Sequence, residues 1–148
     1  MPEQEDLLLL IVGDGDEEIM SELRGQENCI CTGFVENPEI YLQTMDIFVM
    51  PSLTETTSLV TLEAMATGLP ILATKVGYIP GYIEKGVHGE FFPRENANIL
   101  TVKLKKFLRE PLYAGSLGHN ARRKVAYSFS WERSINKINK VIKKVLQE

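Results

Sequence analysis

Ile47-Phe48-Val49-Met50-Pro51-Ser52-Leu53-Thr54-Glu55-Thr56-Thr57-Ser58-Leu59-Val60-Thr61-Leu62-Glu63-Ala64-Met65-Ala66 is the stretch on which the reading of the whole chain turns. An apolar run from Ile47 to Met50 stops at a proline, small hydroxyl residues follow, and a helix-forming segment opens near Ser58 or Leu59. An unalternated apolar run this short suits a strand buried on both faces, the condition of a mostly parallel sheet covered by helices. The loop between strand and helix then lies at the C-terminal edge of the sheet, where open α/β folds bind ligands. The first N–H groups of a helix have no intrahelical acceptor, and the helix dipole is positive there. An anion could be held at this place without a lysine.

The same grammar extends outward. Candidate strands are Leu7 to Val12, Asn28 to Thr32, Ile47 to Met50, Pro70 to Ala73 and Glu90 to Phe92. Candidate helices cover Glu17 to Arg24, Pro38 to Thr44, Leu59 to Thr67 and Ala97 to Arg109. Asn37-Pro38 reads as a cap with proline at the first helical position, and Thr67-Gly68-Leu69-Pro70 as a helix stop before a strand. The succession is βαβ, and the fold class expected is α/β, an open, mostly parallel sheet with helices on both faces. After about residue 93 the sequence is almost entirely helical, so the organisation is one domain, 1–148, with a helical C-terminal part over 94–148.

Length, composition and charge narrow the function classes. A chain of 148 residues, 44% hydrophobic and 24% charged, supports one packed domain and excludes most complete two-domain enzymes. Leu7 to Val12 follows Glu3, Glu5 and Asp6, which fits neither a membrane span nor a signal peptide, and the cytoplasm is the expected compartment. Residues 1–74 hold 14 acids and one base, Arg24, whereas residues 75–148 hold six acids and 15 bases. An acidic half repels a phosphate backbone and the bases lie along helical sequence, so nucleic acid is not an expected partner. Cys29 and Cys31 are the only cysteines, and as residues two apart on a strand they are expected on opposite sides, which argues against a disulfide or metal pair.

Three sets of residues could carry chemistry. Val12-Gly13-Asp14-Gly15-Asp16-Glu17 is a glycine turn between a strand and a helix, open to two readings: a direct phosphate cradle, or a tight turn lining a cleft. The residue three after Gly15 is Glu18, not the third glycine of a dinucleotide fingerprint, and Asp14, Asp16 and Glu17 would repel a phosphate, which favours the second. In the opening segment, Glu55 can meet the reacting end of a ligand and Glu63 can accept hydrogen bonds from a diol such as a ribose. The alternatives are loop solvation for Glu55 and an ordinary polar helical position for Glu63. Because Glu63 stands among Leu62, Ala64 and Met65, a buried or cleft-facing carboxylate is expected. His88 and His119 lack an evident catalytic partner, and no hydrolytic triad, phosphate loop or metal site is read; the metal expectation is none. Tyr78 and Tyr82, around Pro80-Gly81, either stack above the sheet or pack against the domain. A last helix capped by Ser130 carries Trp131, Ile135, Ile138, Ile142 and Val145 on one face and Lys137, Lys140, Lys143 and Lys144 on the other. It reads as a docked terminal helix, or else as a membrane or partner surface.

Taken together, Leu9-Leu10-Ile11-Val12-Gly13-Asp14-Gly15, Thr32-Gly33-Phe34-Val35, Asp46 to Ser52, Glu55 to Ala66, Gly68-Leu69-Pro70 and Phe129-Ser130-Trp131-Glu132 resemble a known family in their order. The chain looks like the C-terminal, donor-binding domain of the retaining, group-1 or glycogen-synthase-like glycosyltransferases, which have two facing Rossmann-like domains. The resemblance implies a nucleotide-diphosphate sugar as donor substrate and no cofactor. It implies that Glu55 is catalytic, by the donor sugar, and that Glu63 holds ribose hydroxyls. Thr57, Ser58 and Leu59 would match the diphosphate-binding turn and helix start, Gly13 and Gly15 the cleft turn, and Phe34 and Val35 the loop beside the base. Leaving-group charge would be stabilised by protein groups without a required metal, and the anomeric configuration retained.

The chain departs from the family pattern at Thr56-Thr57-Ser58, where many relatives have Gly-Phe-Gly, and at Gly81, which replaces a glutamate. The family's opening strand and helix, with the Arg and Lys that clamp the diphosphate, have no counterpart before Leu7. That strand would sit between those matched by Leu7 to Val12 and Ile47 to Met50. Either these two close up, or another copy supplies the edge, because unpaired interior backbone is costly. The chain is accordingly expected to be an incomplete domain and a fragment of a catalytic unit, inactive without an N-terminal acceptor domain. Expected partners are the donor and that acceptor domain, with peripheral membrane proximity through the acceptor and a homo-oligomer completing the sheet as further expectations. A rival reading is a non-catalytic nucleotide-sugar-binding or self-assembling module. A weaker one is a sugar-nucleotide epimerase, which the glutamate spacing disfavours.

Overall fold

The computed structural model describes residues 7–147. Its elements run β1 (Leu9–Ile11), α1 (Glu17–Arg24), β2 (Cys29–Cys31), α2 (Pro38–Leu42), β3 (Phe48–Met50), α3 (Leu59–Thr67), β4 (Ile71–Thr74), α4 (Ile79–Tyr82), β5 (Glu90–Phe92), α5 (Ala97–Arg109), α6 (Pro111–Ser128) and α7 (Trp131–Val145). Every ladder is parallel: Leu9, Leu10 and Ile11 pair with Cys29, Ile30 and Cys31, while β4 lies between β3 and β5. The architecture is an open parallel α/β fold. α2 stops at Leu42 rather than Thr44, because Gln43, Thr44 and Met45 donate to carbonyls three residues back and tighten the last turn.

The strands form two ladders, β1-β2 and β3-β4-β5, with no hydrogen-bonded pairing between β1 and β3 among the described residues. Of the two arrangements expected for β1 and β3, closing up is not found among the described residues. The burial expected on both faces holds for β4, whose four residues are all buried. It fails for β1, where Leu9 is 51% exposed, since a strand paired on one edge and left uncovered stays wet however apolar it is. Alternation along β4 sends Ile71 and Ala73 into one core with Met65, Ile79, Tyr82 and Ala121, and Leu72 into another with Phe92, Phe107 and Leu117. α3 ends on the left-handed Gly68, against which Gly118 of α6 packs so closely that a Cβ there would meet the Gly68 carbonyl.

Two further expectations are corrected. Cys29 and Cys31 lie on the same side of β2, with their Sγ atoms 3.9 Å apart. Side chains alternate with a period of two, so residues i and i+2 share a face. The docked terminal helix is not found either: α7 has no buried residue, and Trp131, Ile135, Ile138, Ile142 and Val145 are all exposed. Among the described residues no helix is long and apolar enough to cross a membrane.

Candidate functional site

The loop from β3 to α3 is held from three directions. Thr74, fully buried at the end of β4, donates from its hydroxyl to the Ser52 carbonyl at 2.6 Å and the Met50 carbonyl at 3.4 Å. The Tyr78 N–H donates to the Thr56 carbonyl at 3.0 Å, and the Arg94 guanidinium donates to the Leu53 carbonyl at 3.0 Å. Tyr78 follows β4 and Arg94 follows β5 in the chain, so the C-terminal ends of three adjacent parallel strands converge on this loop.

Ser58 is the N-cap of α3. It is buried, and its hydroxyl oxygen accepts from the Thr61 N–H at 3.4 Å and from the Thr61 hydroxyl at 2.8 Å. Neither Thr57 nor Leu59 donates its N–H to an acceptor among the described residues, and both are exposed at the helix start. Donors of this kind, at the positive end of a helix, are what an anionic ligand needs. Ser58→Ala is expected to cost about 1 kcal/mol through the lost cap, together with the unsatisfied Thr61 hydroxyl, read as a lower urea midpoint with an unchanged slope. An unchanged midpoint would remove the capping role.

The two glutamates have different surroundings. Glu55 is half-buried beside the aromatic pair Tyr78 and Tyr82, whose rings meet edge-to-face at 5.2 Å. Burial pushes the Tyr82 phenol above its usual pKa, and the charges of Tyr78 and Glu55 add to that. Tyr82 packs inward against Phe129 while Tyr78 is exposed, so the two alternatives for the tyrosines are divided between them. Glu63 is exposed rather than buried; it faces an open cavity of about 440 Å³ with Glu39, Gln43, Thr67 and Arg122. None of Gly13, Phe34, Glu55, Thr57, Ser58 and Leu59 lines this cavity. Burial fails because Glu63 points away from the face of α3 that carries Thr61, Ala64 and Met65 into the core.

The glycine turn and the loop after β2 are joined to each other. The Gly13 N–H donates to the Gly33 carbonyl at 3.2 Å and approaches the Thr32 hydroxyl at 3.3 Å, which brings Phe34 and Val35 beside the turn. Phe34 is 82% exposed. Asp14 accepts from the Gly15 N–H at 2.9 Å, and Asp16 caps α1 by accepting from Glu18 and Ile19. The N–H groups of Gly15, Glu18 and Ile19 are taken by the turn's own carboxylates and that of Gly13 by the Gly33 carbonyl, which supports the tight turn over the cradle. The structure thus brings the site residues together in two groups: Gly13, Gly15, Phe34 and Val35 on the first ladder, Glu55, Thr57, Ser58, Leu59 and Glu63 on the second. No hydrogen bond links the groups among the described residues.

Sequence reasoning missed Gly77 and Arg94. Their signal was position, each lying just beyond the end of a candidate strand. Lys75 and Arg94 also bring cations from the basic half to the edge where the acidic half supplies the loop. A larger cavity, about 710 Å³, is lined by His88, Asn120, Arg123, Lys124 and Tyr127. It lies by the turn before β5, at the opposite edge of the sheet from the loop. His88 is held below its usual pKa by burial and then by the Lys124 charge, and its Nδ1 accepts from the Glu84 N–H at 3.3 Å. Among the described residues no group of three or more His, Cys, Asp or Glu side chains is placed to hold a metal ion.

Residues 2–110 match the family model of the glycosyl transferases group 1. The chain belongs to that family. Sulfoquinovosyl transferase SQD2 of Arabidopsis thaliana is 31% identical over 136 residues, which cover 88% of this chain and 26% of SQD2. Sucrose-phosphate synthase from Thermosynechococcus elongatus superposes with a TM-score of 0.84 at 26% identity, over 94% of this chain and 38% of its own. Anabaena Alr3699/HepE in complex with UDP-glucose superposes at 0.81 and 21% identity, over 96% and 41%. This group-1 chain therefore spans well under half the length of each of these proteins. It corresponds to one domain of larger two-domain glycosyltransferases.

Proposed function

We propose that the chain is the C-terminal, donor-binding part of a retaining glycosyltransferase, which moves a sugar from a nucleotide-diphosphate sugar to an acceptor hydroxyl. The observation that carries this is the start of α3, where a rigidly held loop presents the unengaged N–H groups of Thr57 and Leu59 next to Glu55. When the bond from the sugar to the diphosphate breaks, negative charge develops on the leaving oxygen, and fixed N–H donors with a helix dipole stabilise it without reorganising. Glu55 stands by the donor sugar. Glu63, further along α3 and exposed, accepts hydrogen bonds from the ribose diol. Phe34 and Val35 flank the base, and Gly13 and Gly15 let the turn approach it. Attack by the acceptor on the face the leaving group vacates retains the configuration.

Transfer needs both reactants held and water excluded, and the acceptor is assigned to an N-terminal domain. The chain alone is therefore expected to bind donor weakly. The titration that tests this follows backbone amide NMR shifts with UDP, GDP and ADP. Localised shifts at Thr57, Ser58, Leu59 and Glu63 with one base preferred, lost in Glu63→Ala, are the expected result. A folded sample that shows no shift up to millimolar nucleotide overturns the reading. It would favour the second one, a self-assembling module, to which the separate β1-β2 and β3-β4-β5 ladders lend support.

A further inference from the structure

Cys29 and Cys31 take no part in donor binding as proposed above. They stand at the two ends of β2, the outer strand of the first ladder, with the exposed Ile30 between them. Both are half-buried free thiols, and each is the other's hydrogen-bond partner, with Sγ atoms 3.9 Å apart. The rise of a strand sets the Cα atoms of residues i and i+2 about 6.4 to 6.8 Å apart, at the upper end of the range a disulfide can bridge.

We propose that Cys29 and Cys31 form a reversible disulfide within β2, which makes this strand a redox modification site. The oxidant is a low-molecular-weight disulfide such as glutathione disulfide. One cysteine thiolate attacks it, a mixed disulfide forms and one glutathione leaves. The second cysteine then attacks the mixed disulfide, the intrastrand S–S bond forms, and the second glutathione leaves. Two protons and two electrons depart from the protein thiols, and one oxidant S–S bond is reduced to two thiols.

The strand geometry sets the character of this bond. Closing the gap between the sulfurs puckers β2, so the disulfide stores strain and is readily reduced again, as labile disulfides are. Cys29 and Cys31 are the register partners of Leu9 and Ile11, and the next hydrogen bonds along the ladder are Thr32 to Ile11 and Gly13 to Gly33. Puckering β2 therefore displaces the Gly13 turn relative to Gly33. Burial, then the hydrogen bond and charge of Cys31, push the Cys29 thiol above its usual pKa, which keeps it protonated and slow to attack near neutral pH, so the exchange is faster in alkaline buffer.

The test uses the full chain without nucleotide, so its outcome is independent of the donor reading. The protein is equilibrated in buffers of increasing glutathione disulfide to glutathione ratio, acid-quenched, alkylated and weighed by mass spectrometry. The expected product is a monomer lacking two hydrogens, resistant to alkylation at both cysteines, reversed by dithiothreitol, and shifted at the Gly13 and Gly33 amides. Cys29→Ser should stop at a glutathione adduct on Cys31. Cysteines that stay alkylatable throughout, glutathione adducts alone in the unsubstituted chain, or interchain-linked dimers would each overturn the proposal.

Discussion

Gly77→Ala is expected to lower stability by about 3 kcal/mol and the melting temperature by roughly 10 °C, and to erase nucleotide-induced shifts at Thr57 and Ser58. Gly77 has φ +51°, in the left-handed region where an L side chain is strained. A Cβ added there would run into the Glu55 carbonyl oxygen, and would also sit 2.7 Å from the Glu55 carbonyl carbon and 2.8 Å from the Thr56 oxygen. These are backbone atoms, which cannot rotate aside. Relief requires the Glu55-Thr56 segment to move, and the hydrogen bond from Tyr78 to Thr56 moves with it. Gly86→Ala separates strain from collision: its φ is +77°, but no atom lies within 4 Å of the added Cβ. That variant should lose about 1 kcal/mol from strain alone. Equal losses in the two variants, measured by urea denaturation, would show that the close approach to Glu55 is not what matters.

Lys103→Ala should cost about 3 kcal/mol at neutral pH, and the deficit should shrink in acid. Glu90 is 5% exposed at the start of β5; its Oε2 accepts from Lys103 Nζ at 2.7 Å and its Oε1 from the Tyr113 hydroxyl at 2.8 Å. Burial alone would raise the Glu90 pKa. The hydrogen bonds from Lys103 and Tyr113 and the charges of Lys103 and Lys85 outweigh it, and the carboxyl is held below its usual range. A depressed folded-state pKa contributes stability that is present above the unfolded value, about 4.3 for Glu, and lost as pH falls through the folded value. Without Lys103, Glu90 stays buried with one donor and takes up a proton more readily, so the variant recovers relative to the parent on acidification.

The hydrogen bond from Tyr113 to Glu90 acts in the opposite sense at high pH. Burial, then the bond and charge of Glu90, push the Tyr113 phenol up to about 12. A raised pKa contributes stability present below the unfolded value, about 10, and lost as pH climbs through the folded one. Denaturation midpoints of parent and variant across acid, neutral and alkaline pH would check both limbs. A gap independent of pH would mean that the ion pair is not coupled to folding as described.

Much of the fold was legible locally. The bounds of α1, α3, α5 and β5 agree with those read from periodicity, caps and helix stops, and Ser130 caps α7 as read, whereas Asn37, also read as a cap, makes no side-chain cap bond to α2. The helix start at Ser58-Leu59 was legible too, because a cap needs only residues three apart. The error at Cys29 and Cys31 came from misapplying the period of the strand. The burial of β1 and the docking of α7 were not legible, because an apolar stripe states a demand for cover and not whether a neighbour meets it.

The amino-acid sequence by itself did not determine the short helix α4 or the bounds of α6, but it determined the five strands, most of the helices and their order, and the residues that stand at the end of β3. Those follow from interactions among residues a few positions apart. Only the tertiary structure decided that the ladders separate between β1 and β3, that Glu63 faces open space, and that the Glu55 loop is clamped by Thr74, Tyr78 and Arg94. The clamps join residues 22 to 41 positions apart, as in the bonds from Thr74 to Ser52 and from Arg94 to Leu53. No local pattern encodes such a pairing, because it exists only after the strands have been brought side by side.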